Sequence, residues 1–184
     1  MSSLPKIAVA VSGSGRSLEN LLRQTSFEVA CVISNKKNCN AVAIAKGHRI
    51  ETVIISNFDG KTTNELNQKL LGLQIKLIVL AGFLVKFPVL ASFQDKMINI
   101  HPSLLPKYGG KGFYGMKVHE AVIQSGDAFS GATVHMVNDE YDKGRILNQA
   151  KVSVEANDDA TSLAKKVFAQ ECLLLPKVIE SLLG

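Results

Sequence analysis

Tryptophan is absent from this chain of 184 residues, and aromatic residues make up only 6% of it. Proteins that grip nucleic acid combine clustered Lys and Arg with stacking aromatics. Here the net charge is +5, but the basic residues are scattered: pairs such as Lys36-Lys37 and Lys165-Lys166 do not grow into blocks. No nucleic-acid partner is expected, and an anionic small substrate accounts for the basic excess as well. Long hydrophobic runs are also missing; none approaches the ~20 apolar residues of a membrane-spanning helix. The first residues, MSSLPK, lead straight into a strand with no signal-peptide layout. A cytoplasmic protein with no membrane partner is therefore expected. Cysteine is scarce. Cys31, Cys39 and Cys172 share no metal-ligand spacing, so they read as packing residues, and neither a disulfide nor a bound metal is expected.

What is present is alternation. Short runs rich in β-branched residues occupy Lys6–Ser12, Phe27–Ser34, Thr52–Ile55, Lys76–Ala81 and Met97–Ile100. Helix-like segments lie near 17–25, 40–48 and 61–73. Strand and helix in alternation imply a parallel sheet with right-handed crossovers. The first and fourth runs are apolar on both faces, as inner parallel strands are. After a Gly-rich stretch at 109–115 and a helical pattern at 115–125, two more strands follow. They cover Ala132–Val137 and Arg145–Val154 and read as an antiparallel hairpin at the sheet edge. The tail, 158–182, has helical spacing, with Leu163, Val167, Cys172, Leu174, Val178 and Leu182 mostly on one stripe and Asn157 or Asp158 as its cap. The expected fold is α/β: a Rossmann-like open twisted sheet, mostly parallel, with an antiparallel C-terminal hairpin and helices on both faces. It forms one domain over 1–184, divided into halves at 1–95 and 96–184.

Three constellations carry chemistry. Ser12-Gly13-Ser14-Gly15-Arg16-Ser17 joins the first strand to its helix. Backbone N–H groups of such a loop converge, and the helix start adds partial positive charge, which suits an anion. The loop lacks the Gly-Lys-Ser/Thr of a P-loop, and Leu18 stands where a dinucleotide fingerprint needs its third Gly. The second is Asn99-Ile100-His101-Pro102, with Pro106 closing the loop. Asn99 and His101 leave the same face of a strand end at the carboxyl edge of the sheet, where open α/β folds bind ligands. An amide beside an imidazole suits polarising a carbonyl and stabilising an oxyanion. The third is the acidic turn Asp139-Glu140-Tyr141-Asp142. A carboxylate from this turn, paired with His101, would hold the ring cationic by opposite charge and steer a proton-relaying water; spacing does not choose between the acids. His135 stands mid-strand, on one face with Thr133 and Val137, while His48 and His119 read as surface or packing residues.

Taken together, Val11–Ser17, Val32–Asn35, Val79–Phe83, Ile98–Tyr108, Gly131–His135 and Asp139–Ile146 resemble the folate-dependent formyltransferases, in particular those acting on glycinamide ribonucleotide. The Asn-x-His-Pro-Ser-Leu-Leu-Pro run is highly specific to that family and its hydrolase relatives. The resemblance implies transfer of a formyl group from 10-formyltetrahydrofolate to the amine of glycinamide ribonucleotide in purine biosynthesis, without a metal. It assigns catalysis to Asn99, His101 and Asp142, and the substrate phosphate to Gly13, Ser14, Gly15, Arg16 and Ser17. It assigns the ribose to Glu171 and the folate to Leu84, Val85 and Lys86, with Asn99 and Asp142, and implies a phosphate-binding half at 1–95 and a catalytic and folate-binding half at 96–184. There are two departures from the usual pattern: Arg16 and Ser17 replace a Ser or Thr followed by Asn, and Phe168 stands one turn before Glu171 in place of a polar or basic residue. Both lie on the acceptor side. Formyl transfer to another amine, hydrolysis of the formyl-folate, and a non-catalytic phosphate- or folate-binding module are the alternatives. Relatives include monomers and dimers, so a homodimer is among the expected states.

Overall fold

The computed structural model describes residues 3–184. Strands β1 (Lys6–Val11), β2 (Glu28–Ser34), β3 (Glu51–Ile54) and β4 (Ile75–Ala81) alternate with helices α1 (Arg16–Leu22), α2 (Asn40–Gly47) and α3 (Gly60–Gly72). Strand β5 (Met97–His101), helix α4 (Met116–Ser125), strands β6 (Phe129–Met136) and β7 (Ile146–Ser153) and helix α5 (Ala160–Leu183) follow. The seven strands form a sheet ordered β3-β2-β1-β4-β5-β6-β7. Pairing is parallel for β1–β2, β1–β4 and β2–β3, and antiparallel for β6–β7. This is the expected Rossmann-like, mostly parallel sheet with a terminal hairpin.

The backbone separates into two compact units. One ends at Ile98 and also takes in Ile179–Gly184; the other is Asn99–Val178. In the first unit, Ile7, Ala8, Val9 and Ala10 of β1 and Ile78 and Val79 of β4 are completely buried. That is the outcome anticipated from their two-sided apolar runs. The strand order reverses between β1 and β4, so their carboxyl ends flank a topological switch point. The loops leaving both strands there, 12–15 and 82–87, lie in this unit.

In the second unit β6 is buried along nearly its whole length, whereas β7 alternates between exposed and half-buried residues as an edge strand does. The helix cap differs from expectation. Neither Asn157 nor Asp158 caps α5; Asp159 does, its Oδ1 accepting from the Ser162 N–H at 2.7 Å while its own N–H donates to Ser162 Oγ at 3.0 Å. Asp158 is held elsewhere, by Lys166 at 2.6 Å and by the Glu155 N–H at 2.8 Å. The helix stripe is also corrected. Leu163, Val167, Leu174, Leu175, Val178 and Ile179 are buried, but Cys172 is only half-buried and Leu182 is exposed. Among the described residues, no helix is long and apolar enough to cross a membrane.

The closeness of β6 to β7 depends on Gly131. A Cβ there would lie 2.0 Å from the Ala150 carbonyl oxygen and 2.7 Å from Leu104 Cδ2. Gly131→Ala should lower stability by roughly 1–3 kcal/mol or more, since backbone atoms yield poorly to overpacking. Urea denaturation measures this; an unchanged midpoint would show that the hairpin accommodates the methyl group.

Candidate active site

Asn99 and His101 stand at the end of β5, and the chain then folds back on itself through a buried polar knot. Thr133 and Ser103 are completely buried. The Thr133 hydroxyl donates to the Ser103 carbonyl at 2.6 Å and accepts from the Leu105 N–H at 3.1 Å and Gln149 Nε2 at 2.9 Å. This uses its one donor and both acceptor sites. Gln149 Nε2 also donates to the Leu105 carbonyl at 3.0 Å, and Ser103 Oγ to the Lys107 carbonyl at 2.6 Å. So held, the loop brings the Tyr108 carbonyl back to 2.8 Å from His101 Nε2. Tyr108 occupies the left-handed region at φ 54°, a strained conformation for a bulky residue that its surroundings must enforce.

The turn after β6 delivers Asp142, also left-handed at φ 55°, a conformation that Asp tolerates better than most residues. Its side chain is 11% exposed. Oδ2 accepts from the Gly110 N–H at 2.8 Å and lies 3.6 Å from His101 Nδ1. Oδ1 lies 3.4 Å from both Asn99 Nδ2 and His135 Nε2. The structure thus brings Asn99 and His101 to one carboxylate, and Asp142 is the acid of the turn that supplies it.

Hydrogen-bond chemistry orients the rings. A carbonyl only accepts, so the 2.8 Å contact to Tyr108 makes His101 Nε2 a donor and leaves Nδ1 facing Asp142. The 2.8 Å contact between His135 Nδ1 and the Met136 carbonyl places a proton on Nδ1 in the same way. His135 Nε2 then accepts from Asn99 Nδ2 at 3.0 Å. His135, which the sequence showed only as a histidine among apolar strand residues, therefore fixes the direction of the Asn99 amide. Its pairing needed the tertiary contact between β5 and β6; strand alternation alone marked the face on which it lies. Tyr108 and Gly110 also escaped sequence reading because they act through backbone groups.

The side chain of His101 is 6% exposed. Burial is the largest influence on it and lowers its pKa; Asp142 and the Tyr108 carbonyl pull upward, His135 pushes down, and the net position is below 6.5. The expectation that Asp142 would hold His101 cationic is therefore corrected for the free protein: the attraction exists, but desolvation outweighs it. For Asp142, burial acts to raise the pKa, but the His135 ring, the charge of His101 and the Gly110 N–H outweigh it and hold the carboxyl below 3.8.

These residues lie in a stretch whose kinship is decisive, since residues 5–179 match the family described as Formyl transferase. The chain belongs to the formyl transferase family. It is 39% identical over 186 residues to the chloroplastic phosphoribosylglycinamide formyltransferase of Arabidopsis thaliana, covering 95% of this chain and 64% of that protein. It is 35% identical over 188 residues to the phosphoribosylglycinamide formyltransferase of Haemophilus influenzae, covering 96% of this chain and 86% of that one. The chain thus spans a little under two thirds of the plant relative's length. The crystal structure of phosphoribosylglycinamide formyltransferase from Anaplasma phagocytophilum superposes with a TM-score of 0.85 at 32% identity, over 97% of this chain and 86% of that one.

The remaining family positions fall in both units. In the first, Gly13 and Ser14 are exposed, Gly15 is buried at φ 80°, and Arg16 and Ser17 open α1. Gly15 also abuts α2, for a Cβ there would lie 2.7 Å from Ile44 Cδ1 and 2.9 Å from Ala41 Cα. Leu84 and Val85 are 44% and 38% exposed, and Lys86 is exposed beside them. The loop carrying them is footed on the Phe58–Phe83–Phe87 ring cluster, with centroids 5.1–6.2 Å apart. In the second unit, Glu171 and Phe168 are half-buried on α5, one turn apart. Among the described residues no group of His, Cys, Asp and Glu has the arrangement of a metal site.

Because the folded pKa of His101 lies below its unfolded value, its contribution to stability is fully present above about 6.5 and is lost as pH falls through the folded value. Asp142→Asn removes the charge that lifts the ring, so the His101 titration should move still lower. Imidazole ¹⁵N NMR across pH measures it. A pKa that stays fixed or rises would show that Asp142 exerts no such pull.

Proposed function

We propose that this protein transfers a formyl group from 10-formyltetrahydrofolate to the primary amine of glycinamide ribonucleotide, a step of purine biosynthesis; its relatives are named phosphoribosylglycinamide formyltransferases. The observation that carries this reading is the convergence of Asn99, His101 and His135 on the single, nearly enclosed carboxylate of Asp142 in a chain of the formyl transferase family.

The amine nitrogen attacks as the free base. Its lone pair forms the new C–N bond while the formyl carbonyl pair moves onto oxygen, and collapse breaks the bond to the folate nitrogen. The proton lost by the amine is the one the folate nitrogen gains. The oxyanion needs N–H donors. Asn99 holds one amide hydrogen on His135 at 3.0 Å and the other on Asp142 at 3.4 Å; the longer bond is the one to be exchanged for the oxyanion. His101 has Nε2 committed to Tyr108, so Nδ1 is its working edge. At 3.6 Å, Nδ1 and Asp142 Oδ2 lie just beyond a direct hydrogen bond, and a small approach closes one once Nδ1 carries a proton. The ring is largely neutral in the free protein; its Nδ1 takes the proton released by the attacking amine, and the imidazolium so formed faces the oxyanion until that proton passes to the leaving folate nitrogen. Asp142 then stabilises the imidazolium and guides the amine proton to the leaving nitrogen.

This reading assigns the substrate phosphate to the N–H groups and side chains of Gly13, Ser14, Gly15, Arg16 and Ser17, and the ribose hydroxyls to Glu171. It assigns the flat pteridine to Leu84, Val85 and Lys86, with Asn99 and Asp142 contributing polar contacts. The exposed apolar side chains of Leu84 and Val85 on their aromatic footing suit a planar heterocycle. The substrates are small molecules, and the reaction as written requires no metal.

The test is formyl transfer from 10-formyltetrahydrofolate to glycinamide ribonucleotide and to a panel of other primary amines, with formylated products read by mass spectrometry. Turnover should favour glycinamide ribonucleotide; preference for another amine would reassign the acceptor, and free formate alone would indicate hydrolysis. Asp142→Asn, folded as judged by circular dichroism, should lose turnover by about 10²–10⁴-fold. Near-normal turnover in that variant would remove Asp142 from the mechanism.

A further inference from the structure

Ser12 is the last residue before the Gly-rich loop, and it is 1% exposed. Its backbone N–H donates to the Gly82 carbonyl at 3.0 Å, carrying the β1–β4 pairing one step beyond the strand ends. Its hydroxyl donates to Asn35 Oδ1 at 2.6 Å and accepts from the Leu84 N–H at 2.9 Å. The donor assignments follow from the partners, because an amide oxygen only accepts and a backbone N–H only donates. With the hydroxyl hydrogen directed at Asn35, a lone pair is left for Leu84. Half-buried Asn35 therefore sets the rotation of the hydroxyl, and the hydroxyl sets the height of the Leu84 backbone.

The residues next to Ser12 are tied from the other side. The Gly13 carbonyl accepts from the Ala41 N–H at 3.1 Å, and the Ser14 carbonyl from Asn40 Nδ2 at 2.7 Å. Three loops, those leaving β1, β2 and β4, thus share one hydrogen-bonded joint at the switch point, with Ser12 at its centre. Each loop has little freedom to shift alone. A ligand that draws the 13–17 loop in one direction must either move the Leu84 backbone or break the part-buried hydrogen bond between them.

We propose that Ser12, oriented by Asn35, is a positioning residue that couples the loop after β1 to the loop after β4, so that occupancy of one sets affinity at the other. This rests on the assignment above of the nucleotide phosphate to residues 13–17 and of the folate to residues 84–86. Ser12 touches neither substrate in this scheme. It transmits the state of one loop through a single hydroxyl, and coupling of this kind is reciprocal by thermodynamic necessity.

Tetrahydrofolate lacks the formyl group, so it forms a non-reacting ternary complex with glycinamide ribonucleotide. Calorimetric titration of tetrahydrofolate, with and without saturating glycinamide ribonucleotide, reads the coupling directly. Wild-type protein should show an affinity ratio of at least about five-fold, the lower end of ordinary coupling. Ser12→Ala should bring the ratio to near one while still binding each ligand, and Ser12→Thr, which retains the hydroxyl, should restore it. Asn35→Ala, at a more exposed position, should also uncouple the ligands and serves if Ser12→Ala does not fold. A ratio near one in wild type, or an unchanged ratio in both alanine variants, overturns the coupling role and leaves the proposed reaction intact. Failure of wild-type protein to bind either ligand overturns the substrate assignment, and the coupling role with it.

Discussion

A carboxylate that is only 11% exposed must be matched by donors or positive charge, because removing an unpaired ion from water costs on the order of several kcal/mol. Much of the second unit is organised around meeting that demand for Asp142. The Gly110 N–H, the Asn99 amide and two imidazoles are brought to its oxygens from three separate stretches of chain. None of these groups is supplied by Asp142's own turn. The carboxylate therefore specifies tertiary arrangement as well as chemistry, while the Tyr108 and Met136 carbonyls fix the two imidazole rings.

The balance around His101 follows from the same enclosure. Burial that strengthens the pull of Asp142 also disfavours a charged ring, and here the second effect is larger. The result is an imidazole poised to take a proton when negative charge appears beside it, instead of a permanent cation. Such poising suits a reaction whose oxyanion exists only near the transition state, since interactions strengthened there accelerate the chemical step. The Tyr108 carbonyl occupies the ring's other nitrogen and fixes which edge works. The Thr133–Gln149–Ser103 knot places that carbonyl, so loop shape and ring chemistry are connected through buried hydrogen bonds.

Much of the fold was legible in the residues themselves. Two-sided apolar runs mark inner parallel strands, and β1 and β4 are buried as such runs require. Alternation of strands and helices led to the crossover pattern, and a polar turn between two late strands led to the hairpin. Local competition was harder to read. Asn157, Asp158 and Asp159 are all good caps, and which one caps α5 depends on Lys166 and the Glu155 N–H holding Asp158 elsewhere. On α5, apolar spacing identified the buried side but overextended it to Cys172 and Leu182.

For the site, the sequence by itself determined the residue types and one spatial relation: Asn99 and His101 share a face because strand side chains alternate with a period of two. Family resemblance singled out Asp142 from its acidic turn. Only the tertiary structure decided that Asp142 meets His101, that His135 directs the Asn99 amide, and that the ring of His101 is easier to deprotonate than an exposed histidine. It also decided that Ser12, an ordinary residue at a strand end, joins three loops. The physical reason is common to all of these. Hydrogen-bond partners and desolvation are set by which chain segments are packed together, and spacing along a sequence reports periodicity within one element but not contact between two.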